Sequence, residues 1–214
     1  QGVTEALTGN VYESLSKLTD DGEVEPLLAT DHEVSDDGLT YTYTLREDVT
    51  FQSGKALTAA DVQASVEAVL APDSQSARKS SLEVIDSIDT PDEHTVVFTL
   101  KERSISLPYL LSYVWIINSE IDDIETETDG TGPYTLGEWK RGSSLTLNRW
   151  DDYWGEKAAN KQVVFNYFTD ATAEDTALLS DRIDLITNVQ NPDSLPQFEK
   201  DDRFDIAEGQ STTK

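Results

Sequence analysis

The chain carries a large excess of negative charge, and this excess limits both how it can fold and what it can bind. Its 214 residues include 42 Asp and Glu against 16 Lys and Arg, for a formal net charge of −26. Nucleic acids and anionic membranes are poor partners, because they carry the same sign of charge. Disorder is not indicated, since 37% of the residues are hydrophobic and they recur at helical and strand periods. The sequence therefore predicts a folded acidic protein.

The charge has two physical explanations. One is adaptation to molar salt, in which the Debye length falls to about 3 Å and repulsion between carboxylates is screened. The even spread of acids along the chain favours this explanation and predicts a halophilic source. The other is a local function, such as nucleic-acid mimicry or cation storage, which would concentrate the acids. The densest group resembles a calcium loop, but its register does not match, so a solvated acidic loop is expected; it comprises Asp122, Asp123, Glu125, Glu127 and Asp129.

The residue types that carry most enzyme chemistry are scarce. Cysteine is absent, and His32 and His94 have no second histidine nearby. The glycines before Pro133 predict a tight turn into Tyr134 and not a phosphate loop, because proline lacks the amide that a phosphate would use. We therefore expect no catalytic residue, no metal site and no cofactor. The alternatives left open are a salt-adapted hydrolase that uses a carboxylate pair, and an acidic surface or assembly protein that binds no small ligand.

Hydrophobic periodicity predicts a mixed α/β fold, antiparallel in the middle of the chain and alternating strand with helix at its end. Four helices are expected. The first buries Leu7, Val11, Leu15 and Leu18, and the second begins at Thr58 and Asp61 and ends before Pro72. The third is Ala171–Leu179, and the fourth begins at Asn191 and Pro192. The expected strands are His32–Val34, Thr40–Leu45, Leu82–Ile88, Thr95–Leu100, Tyr134–Trp139, Ser144–Arg149, Val163–Phe168, Ile183–Ile186 and Phe204–Ala207.

Aromatic residues give the clearest indication of a binding surface. Tyr113 and Trp115 lie two residues apart on the apolar segment Leu110–Ile117, so their side chains face the same way if this segment is a strand. They either pack in the core or line a cleft. A second group surrounds the end of a hairpin, and core packing is the favoured interpretation there; it comprises Trp139, Trp150, Tyr153 and Trp154.

Several short stretches, in order and spacing, resemble the peptide- and nickel-type extracellular solute-binding proteins of ABC importers, known as family 5. The stretch Leu57–Val62, for example, is similar to the family's "l-T-A-e-D-V". The resemblance covers nearly the whole chain. The matching stretches are Val11–Leu15, Pro26–Ala29, Val34–Arg46, Val49–Phe51, Ser53–Lys55, Leu57–Val62, Gly130–Tyr134, Glu138–Trp139 and Asp152–Gly155.

The resemblance implies the N-terminal part of a type II, cluster C periplasmic-binding-protein-like fold. Residues 1–32 and 161–214 would form part of a cleft-straddling lobe, and residues 33–160 an inserted, mostly antiparallel subdomain. The implied function is capture of an oligopeptide or similar solute outside the cell and its delivery to an ABC permease. The segment before the first helix, with Gly2 and Val3, would line the cleft, and Ser81 would lie near its edge. With Tyr113 and Trp115, these are the expected ligand-binding residues.

The chain also departs from the family pattern. It has less than half of the family's length, and we expect it to be an excised or processed part of a longer, lipid-anchored protein. Its exposed sheet edge or apolar patch would then favour self-association. The acidic residue that commonly pairs with the amino group of a bound peptide falls outside it. Ser180-Asp181-Arg182 replaces the family's Ser-Gly-Glu, so the turn there is expected to differ.

Overall fold

The structure is a computed structural model that describes residues 2–19, 21–121 and 127–207. It has the predicted mixed α/β architecture. The helices are α1 (Gly2–Leu7), α2 (Ala59–Leu70), α3 (Lys79–Leu82), α4 (Leu107–Leu111), α5 (Ala171–Leu179) and α6 (Leu195–Phe198), the last preceded by a 3₁₀ turn at Pro192–Ser194. The strands are β1 (Ser16–Leu18), β2 (Val24–Pro26), β3 (Ala29–Val34), β4 (Thr40–Leu45), β5 (Ile85–Asp92), β6 (Thr95–Leu100), β7 (Tyr134–Lys140), β8 (Ser144–Arg149) and β9 (Gln162–Asn166).

The chain divides into two compact units. The first comprises Gln1–Gly137 and Leu147–Val163, and the second comprises Glu138–Thr146 and Val164–Lys214. The division expected from the family resemblance, with a lobe of residues 1–32 and 161–214 and a subdomain of residues 33–160, has other boundaries and stays a prediction.

The core of the first unit is built on an antiparallel sheet of four strands in the order β3-β4-β6-β5. On β4, Tyr41, Tyr43 and Leu45 are buried while the intervening threonines are not, which confirms the predicted alternation. Tyr41 lies opposite Phe98 of β6 in the register of the two strands. Since both residues are at most 4% exposed, this face of the sheet is packed against the core.

Helix α2 begins where the sequence predicts. The carboxylate of Asp61 accepts hydrogen bonds from the backbone N–H (3.0 Å) and the hydroxyl (2.9 Å) of Thr58, which fixes the first turn. Val62 and Val66, one turn apart, are fully buried in the same core cluster as Phe98 of the sheet. The helix ends at Leu70, two residues before Pro72, which cannot continue it.

The predicted helix through Leu7, Val11, Leu15 and Leu18 is wrong. Helix α1 ends at Leu7, the chain turns at Gly9 with φ of +71°, and Ser16–Leu18 is a strand. The carbonyls that a helix would use are taken by distant segments: Val11 accepts from the N–H of Gly132 (3.0 Å) and Glu13 from that of Ile116 (2.8 Å). These tertiary hydrogen bonds override the apolar spacing, which only coincides with a helical period.

Three strand predictions also need correction. Leu82 ends α3, so the strand expected at Leu82–Ile88 begins at Ile85. Ile183–Ile186 and Phe204–Ala207 are extended or bent but are not strands. A segment becomes a strand only when a neighbouring backbone pairs with it, and these two have no such partner in the part of the chain that the structure describes. The hairpins at residues 29–45, 85–100 and 134–149 are confirmed, as are α5 and the helical turns after Pro192.

The turn at Ser180-Asp181-Arg182 is a strained helix end, and its predicted difference from the family's turn stays a prediction. Asp181 has φ of +56°, the only non-glycine residue described with a positive φ. The N–H of Asp181 binds the carbonyl of Leu178 (3.1 Å) and that of Arg182 binds the carbonyl of Ala177 (2.9 Å), which closes α5 with the pattern that usually places glycine at this position.

Replacing Asp181 with glycine is therefore expected to stabilise the chain by roughly 0.5–1 kcal/mol, because glycine adopts a positive φ without a steric cost. The change also removes an exposed ion pair with Arg203 at 3.6 Å, which contributes little. Unfolding in urea measures the change in free energy. Asp181→Ala is the matched control: it removes the same charge but keeps the strain, and it should lower the stability. Equal effects of the two variants would contradict the argument.

Candidate functional site

The expected ligand-binding residues lie in three places in the first unit. Gly2 and Val3 form the first turn of α1 instead of preceding it. Ser81 lies on α3, and Tyr113 and Trp115 follow α4 in a segment that is not a strand. Tyr113 and Trp115 are nevertheless partly exposed while Val114 and Ile116 are buried. The two aromatic side chains are therefore outside the core, as the cleft interpretation requires.

Trp115 is held by residues from the start of the chain. Its ring stacks on that of Tyr12 with 4.8 Å between centroids and 15° between planes. Its indole N–H donates to Oγ1 of Thr8 (3.1 Å), and that hydroxyl donates to the carbonyl of Thr4 (2.8 Å). Tyr12 is buried, and burial raises its pKa to about 12, so it is a neutral platform. Trp115 is thus fixed in one orientation beside α1, the helix that carries Gly2 and Val3.

Tyr113 belongs to a different group of side chains. Its hydroxyl lies 3.0 Å from that of Tyr109, one helical turn earlier, and the two rings meet edge to face. The guanidinium carbon of Arg78 lies 4.1 Å from the centroid of the Tyr113 ring. The hydrogen bond with Tyr109, together with partial burial, raises the pKa of Tyr113. We call the partly exposed residues Arg78, Tyr109, Tyr113 and Trp115 the aromatic face; among the described residues, no ring contact or hydrogen bond joins Trp115 to the other three.

Sequence reasoning missed Arg78, Tyr109, Tyr12 and Thr8. The spacing of Tyr109 and Tyr113, four residues apart at a helix end, was a readable signal. Arg78, Tyr12 and Thr8 reach the aromatic face only through contacts between residues far apart in the chain, and those contacts leave no periodic pattern in one sequence.

Ser81 lines a separate open cavity of about 620 Å³, whose lining includes Leu110, Lys101 and Arg103 but not Tyr113 or Trp115. The cations of this cavity are already occupied. The ammonium of Lys101 donates to the carbonyl of Glu83 (2.8 Å), and the guanidinium of Arg103 donates to the carbonyls of Asp36 and Asp37. Ser81 therefore meets the aromatic face only through its backbone, where its N–H donates to the carbonyl of Arg78 (3.1 Å).

A buried glutamate supports the segment beneath Trp115. The carboxylate of Glu13, 4% exposed, accepts hydrogen bonds from Tyr153 (2.7 Å), Thr131 (2.9 Å) and the indole of Trp154 (3.1 Å). Burial raises the pKa of Glu13, and the three donors partly oppose that rise. Tyr153 and Trp154 thus pack as predicted, whereas the core packing predicted for Trp139 is wrong, because that residue is 37% exposed. With Thr131, Tyr153 and Trp154 bring three of the matching sequence stretches to one point. Glu13 holds Tyr12 in place from the next position in the chain.

The acidic group near Gly130 is only partly described: Asp122, Asp123 and Glu125 lie outside the described residues. The carboxylate of Asp129 is buried and accepts from the N–H (2.8 Å) and hydroxyl (2.6 Å) of Ser53 and from the amide of Asn118 (2.8 Å). It is a structural link between loops and not a member of a solvated loop. Residues 2–19, 21–121 and 127–207 contain no group of three His, Asp or Glu side chains that could hold a metal ion.

The predicted turn before Tyr134 is a region of close backbone approach. A Cβ atom built on Gly130 would lie 1.8 Å from the carbonyl oxygen of Val11, and one on Gly132 would lie 2.4 Å from that of Asn10. Both glycines are therefore required by space, because no side chain fits between these backbones.

Among the described residues, none of the helices is long and apolar enough to cross a membrane.

Comparison with known proteins places these features in a family. The sequence model for bacterial extracellular solute-binding proteins, family 5 (middle), matches residues 23–213. Protein XP55 of Streptomyces lividans is 35% identical over 201 residues, which cover 90% of this chain and 36% of that protein. The glutathione-binding protein GsiB of Salmonella paratyphi A is 32% identical over 159 residues, which cover 71% of this chain and 31% of that protein.

Solved structures show the same fold. The periplasmic binding protein AgaA of A. tumefaciens R10, in complex with agropinic acid, superposes with a TM-score of 0.86 at 30% identity, over 94% of this chain and 42% of that one. The chain thus spans less than half the length of the relatives that it matches. Since the family match extends over most of its residues, the chain belongs to the bacterial extracellular solute-binding proteins of family 5.

Proposed function

We propose that this chain is part of the substrate-binding component of an ABC importer, which captures a short peptide or similar small solute and delivers it to a membrane permease. The proposed mechanism is closure of two lobes over the solute, with the closed state recognised by the permease. No bond is made or broken in such a cycle. The family is extracellular, and we propose a lipid anchor for the whole protein. We also propose that residues 1–32 and 161–214 belong to the cleft-straddling lobe and residues 33–160 to an inserted subdomain.

The observation that carries the proposal is the fixed orientation of Trp115. A partly exposed indole that is stacked on Tyr12 and hydrogen-bonded to Thr8 has lost its rotational freedom before any ligand arrives. Such a ring offers a flat apolar surface at a small entropic cost, which suits the binding of a small solute. The relatives named for glutathione and agropinic acid support a small organic solute as the ligand.

The hydrolase alternative requires an accessible carboxylate with a raised pKa. Partial burial and the charge of Asp175 raise the pKa of Glu174, but Glu174 lies on α5 and does not line the cavity at Ser81. The Glu13 carboxylate also has a raised pKa, but it is buried and already accepts three hydrogen bonds. It therefore supports the fold and does not face a substrate. Family membership also favours a binding protein over an enzyme.

We also propose that the excess of carboxylates adapts this protein to molar salt. The acidic residues are distributed over both units of the chain, which is what screening of a whole surface requires. A local acidic function would need a concentrated patch. Self-association of the isolated chain stays a prediction.

The proposed function predicts that Trp115→Ala weakens solute binding at least ten-fold, because the variant removes the preformed stacking surface. The protein is prepared at the full length that its gene encodes. Calorimetry in molar salt then measures binding of glutathione and of a mixed pool of tripeptides and tetrapeptides. Trp139→Ala is the matched control, since Trp139 is another partly exposed tryptophan (37%) that lies near an arginine.

We expect Trp139→Ala to bind as the wild type does. Two results would contradict the proposal: no binding of either probe by the wild-type protein, or equal losses in the two tryptophan variants. The second result would show that any loss of an exposed indole acts through general stability.

A further inference from the structure

Ile105 is the most exposed large hydrophobic side chain that the structure describes, with 96% of its surface open to solvent. It lies in the loop between β6 and α4, two residues before Leu107, the first residue of that helix. A hydrophobic residue at this position often packs on the fourth residue of the helix, here Leu110. The exposure of Ile105 shows that this contact is not made. The start of α4 therefore does not explain an isoleucine at this position.

The loop that carries Ile105 is held on both sides. The carbonyl of Ser104 accepts a hydrogen bond from the hydroxyl of Tyr41 (2.9 Å), a buried residue of β4. The guanidinium of Arg103 donates to two backbone carbonyls of the turn between β3 and β4. On the other side, Leu107 is fully buried in the core of the first unit. The exposure of Ile105 is therefore set by a backbone that is fixed before and after it.

The stretch of sequence around Ile105 carries no charge. Residues 104–119, which we call the uncharged run, contain no Asp, Glu, Lys or Arg, although 27% of the chain is charged; no other such run in the chain is as long. It includes Ile105 and three residues of the aromatic face, Tyr109, Tyr113 and Trp115. An uncharged surface loses little hydration energy when another surface covers it. In an acidic protein it also avoids the repulsion between two approaching carboxylate surfaces.

We propose that Ile105 is a closing contact, which packs against the second lobe of the whole protein when the two lobes close over the solute. The inference rests on the proposed function. The aromatic face, which would line the cleft, includes Tyr109, four residues after Ile105 and so at most about 14 Å from it along the chain. Ile105 thus lies at the margin of the same wall. Burial of its side chain in the closed state would favour closure.

The second lobe is also the partner that the known relatives supply. The chain covers 36% of Protein XP55 and 42% of AgaA, so more than half of each of these proteins lies outside the match. In each cycle of binding, the second lobe must approach the aromatic face, whereas a second copy of the protein or the permease need not. The observations therefore favour the second lobe over these two partners.

The first test measures solute affinity of the full-length gene product. Calorimetry in molar salt follows binding of glutathione and of the pool of tripeptides and tetrapeptides. We expect Ile105→Ser to weaken binding about ten-fold, because the closed state loses one buried isoleucine, and Ile105→Leu to bind as the wild type does. Val34→Ser is the matched control, since Val34 is the other exposed aliphatic side chain described in the first unit (45%) and lies outside the uncharged run. It should leave the affinity unchanged.

Urea unfolding separates closure from stability. Because Ile105 makes no core contact, Ile105→Ser should unfold at the same urea concentration as the wild type. Equal affinities of Ile105→Ser and the wild type would overturn the inference. An equal loss of affinity in Val34→Ser would overturn it too, because any exposed aliphatic side chain would then have the same effect.

The second test identifies the partner. Benzoylphenylalanine replaces Ile105 in the full-length protein, and the products of irradiation are mapped by mass spectrometry. We expect cross-links within one molecule, to positions outside these 214 residues. Cross-links between molecules would assign Ile105 to a second copy and overturn the inference, as would a yield no higher than that of the same probe at position 34. If the wild type binds neither solute probe, the proposed function falls for those solutes. The cross-links then decide the inference alone, since a minor closed population forms without solute.

Discussion

Replacing Gly130 with alanine is expected to destabilise the first unit by about 4 kcal/mol or more, enough to unfold a domain of ordinary stability. The added Cβ would lie 1.8 Å from the carbonyl oxygen and 2.7 Å from the carbonyl carbon of Val11. The Val11 carbonyl cannot move away freely, because it accepts a hydrogen bond from the N–H of Gly132 (3.0 Å). Circular dichroism during urea unfolding in molar salt measures the loss.

Gly142→Ala is the control for this prediction. Gly142 has φ of +75°, and no heavy atom lies within 4 Å of the position that a Cβ atom would take there. Alanine at this position therefore incurs only a backbone penalty of about 1 kcal/mol. The comparison separates lack of space from lack of conformational freedom. If Gly130→Ala unfolds at the same urea concentration as Gly142→Ala, the close approach of the two backbones is wrong.

Gly130 also shows where sequence reasoning reaches its limit. The glycines before Pro133 are predicted to form a turn because turns are the commonest reason for neighbouring glycines. The actual reason is the backbone of Asn10 and Val11, about 120 residues earlier in the chain. A contact of that separation has no local signature, so only the resemblance of the surrounding stretch to a family showed that it mattered.

The elements that the sequence predicts correctly are those whose structure is decided locally. Strand β4 alternates buried and exposed residues along its whole length, and α2 has both its first-turn carboxylate at Asp61 and its stop at Pro72. The helix predicted through Val11 fails because tertiary hydrogen bonds take the carbonyls of Val11 and Glu13. Local pattern therefore fixes an element only where the backbone groups are satisfied within that element or its hairpin.

The residues of the aromatic face show the same limit: a local pattern in the sequence could mark some of them, and contacts between distant residues decide the others. Tyr113 and Trp115 could be predicted as candidates, because two large aromatic residues in an apolar segment are either core or cleft. Arg78 could not, since its contact with the Tyr113 ring joins residues far apart in the chain and is visible only in three dimensions. Gly2, Val3 and Ser81 came from the family resemblance alone, and their role in binding stays a prediction.

Asp61 is expected to be the most important carboxylate for stability: Asp61→Asn should cost about 3 kcal/mol at neutral pH. The side chain of Asp61 is fully buried and its oxygens accept five hydrogen bonds: from the Lys55 ammonium (2.5 Å), the N–H and hydroxyl of Ser119 (2.9 and 2.7 Å), and those of Thr58 (3.0 and 2.9 Å). In the variant, the asparagine NH₂ would face either the donors of Thr58 or those of Lys55 and Ser119, and it cannot accept from them. The charge of Lys55 would also lose its carboxylate partner.

The pH dependence of this loss gives a second check. Burial alone would raise the pKa of Asp61, but the hydrogen bonds from Lys55, Ser119 and Thr58 outweigh it and lower the pKa below the usual value. A lowered folded-state pKa stabilises the fold above the unfolded-state pKa of about 3.9, and this stabilisation disappears as the pH falls through the folded-state pKa. The difference between wild type and Asp61→Asn should therefore shrink below about pH 4. The raised pKa of Glu13 makes stability change with pH in the opposite direction. Glu13 is present in both proteins, so this effect cancels in the difference between them.

Asp48→Asn provides the matched control for Asp61→Asn. Asp48 also pairs with a cation, Arg46 at 3.0 Å, and the hydrogen bond from that arginine lowers its pKa, yet its side chain is 60% exposed. Water replaces the lost interactions there, so the stability should change by less than about 0.5 kcal/mol. Urea unfolding of the three proteins from pH 3 to pH 7 measures all of these differences. Similar losses in the two variants would mean that burial of Asp61 does not decide its contribution, and a loss in Asp61→Asn that stays constant down to pH 3 would mean that its ionised form is not the stabilising one.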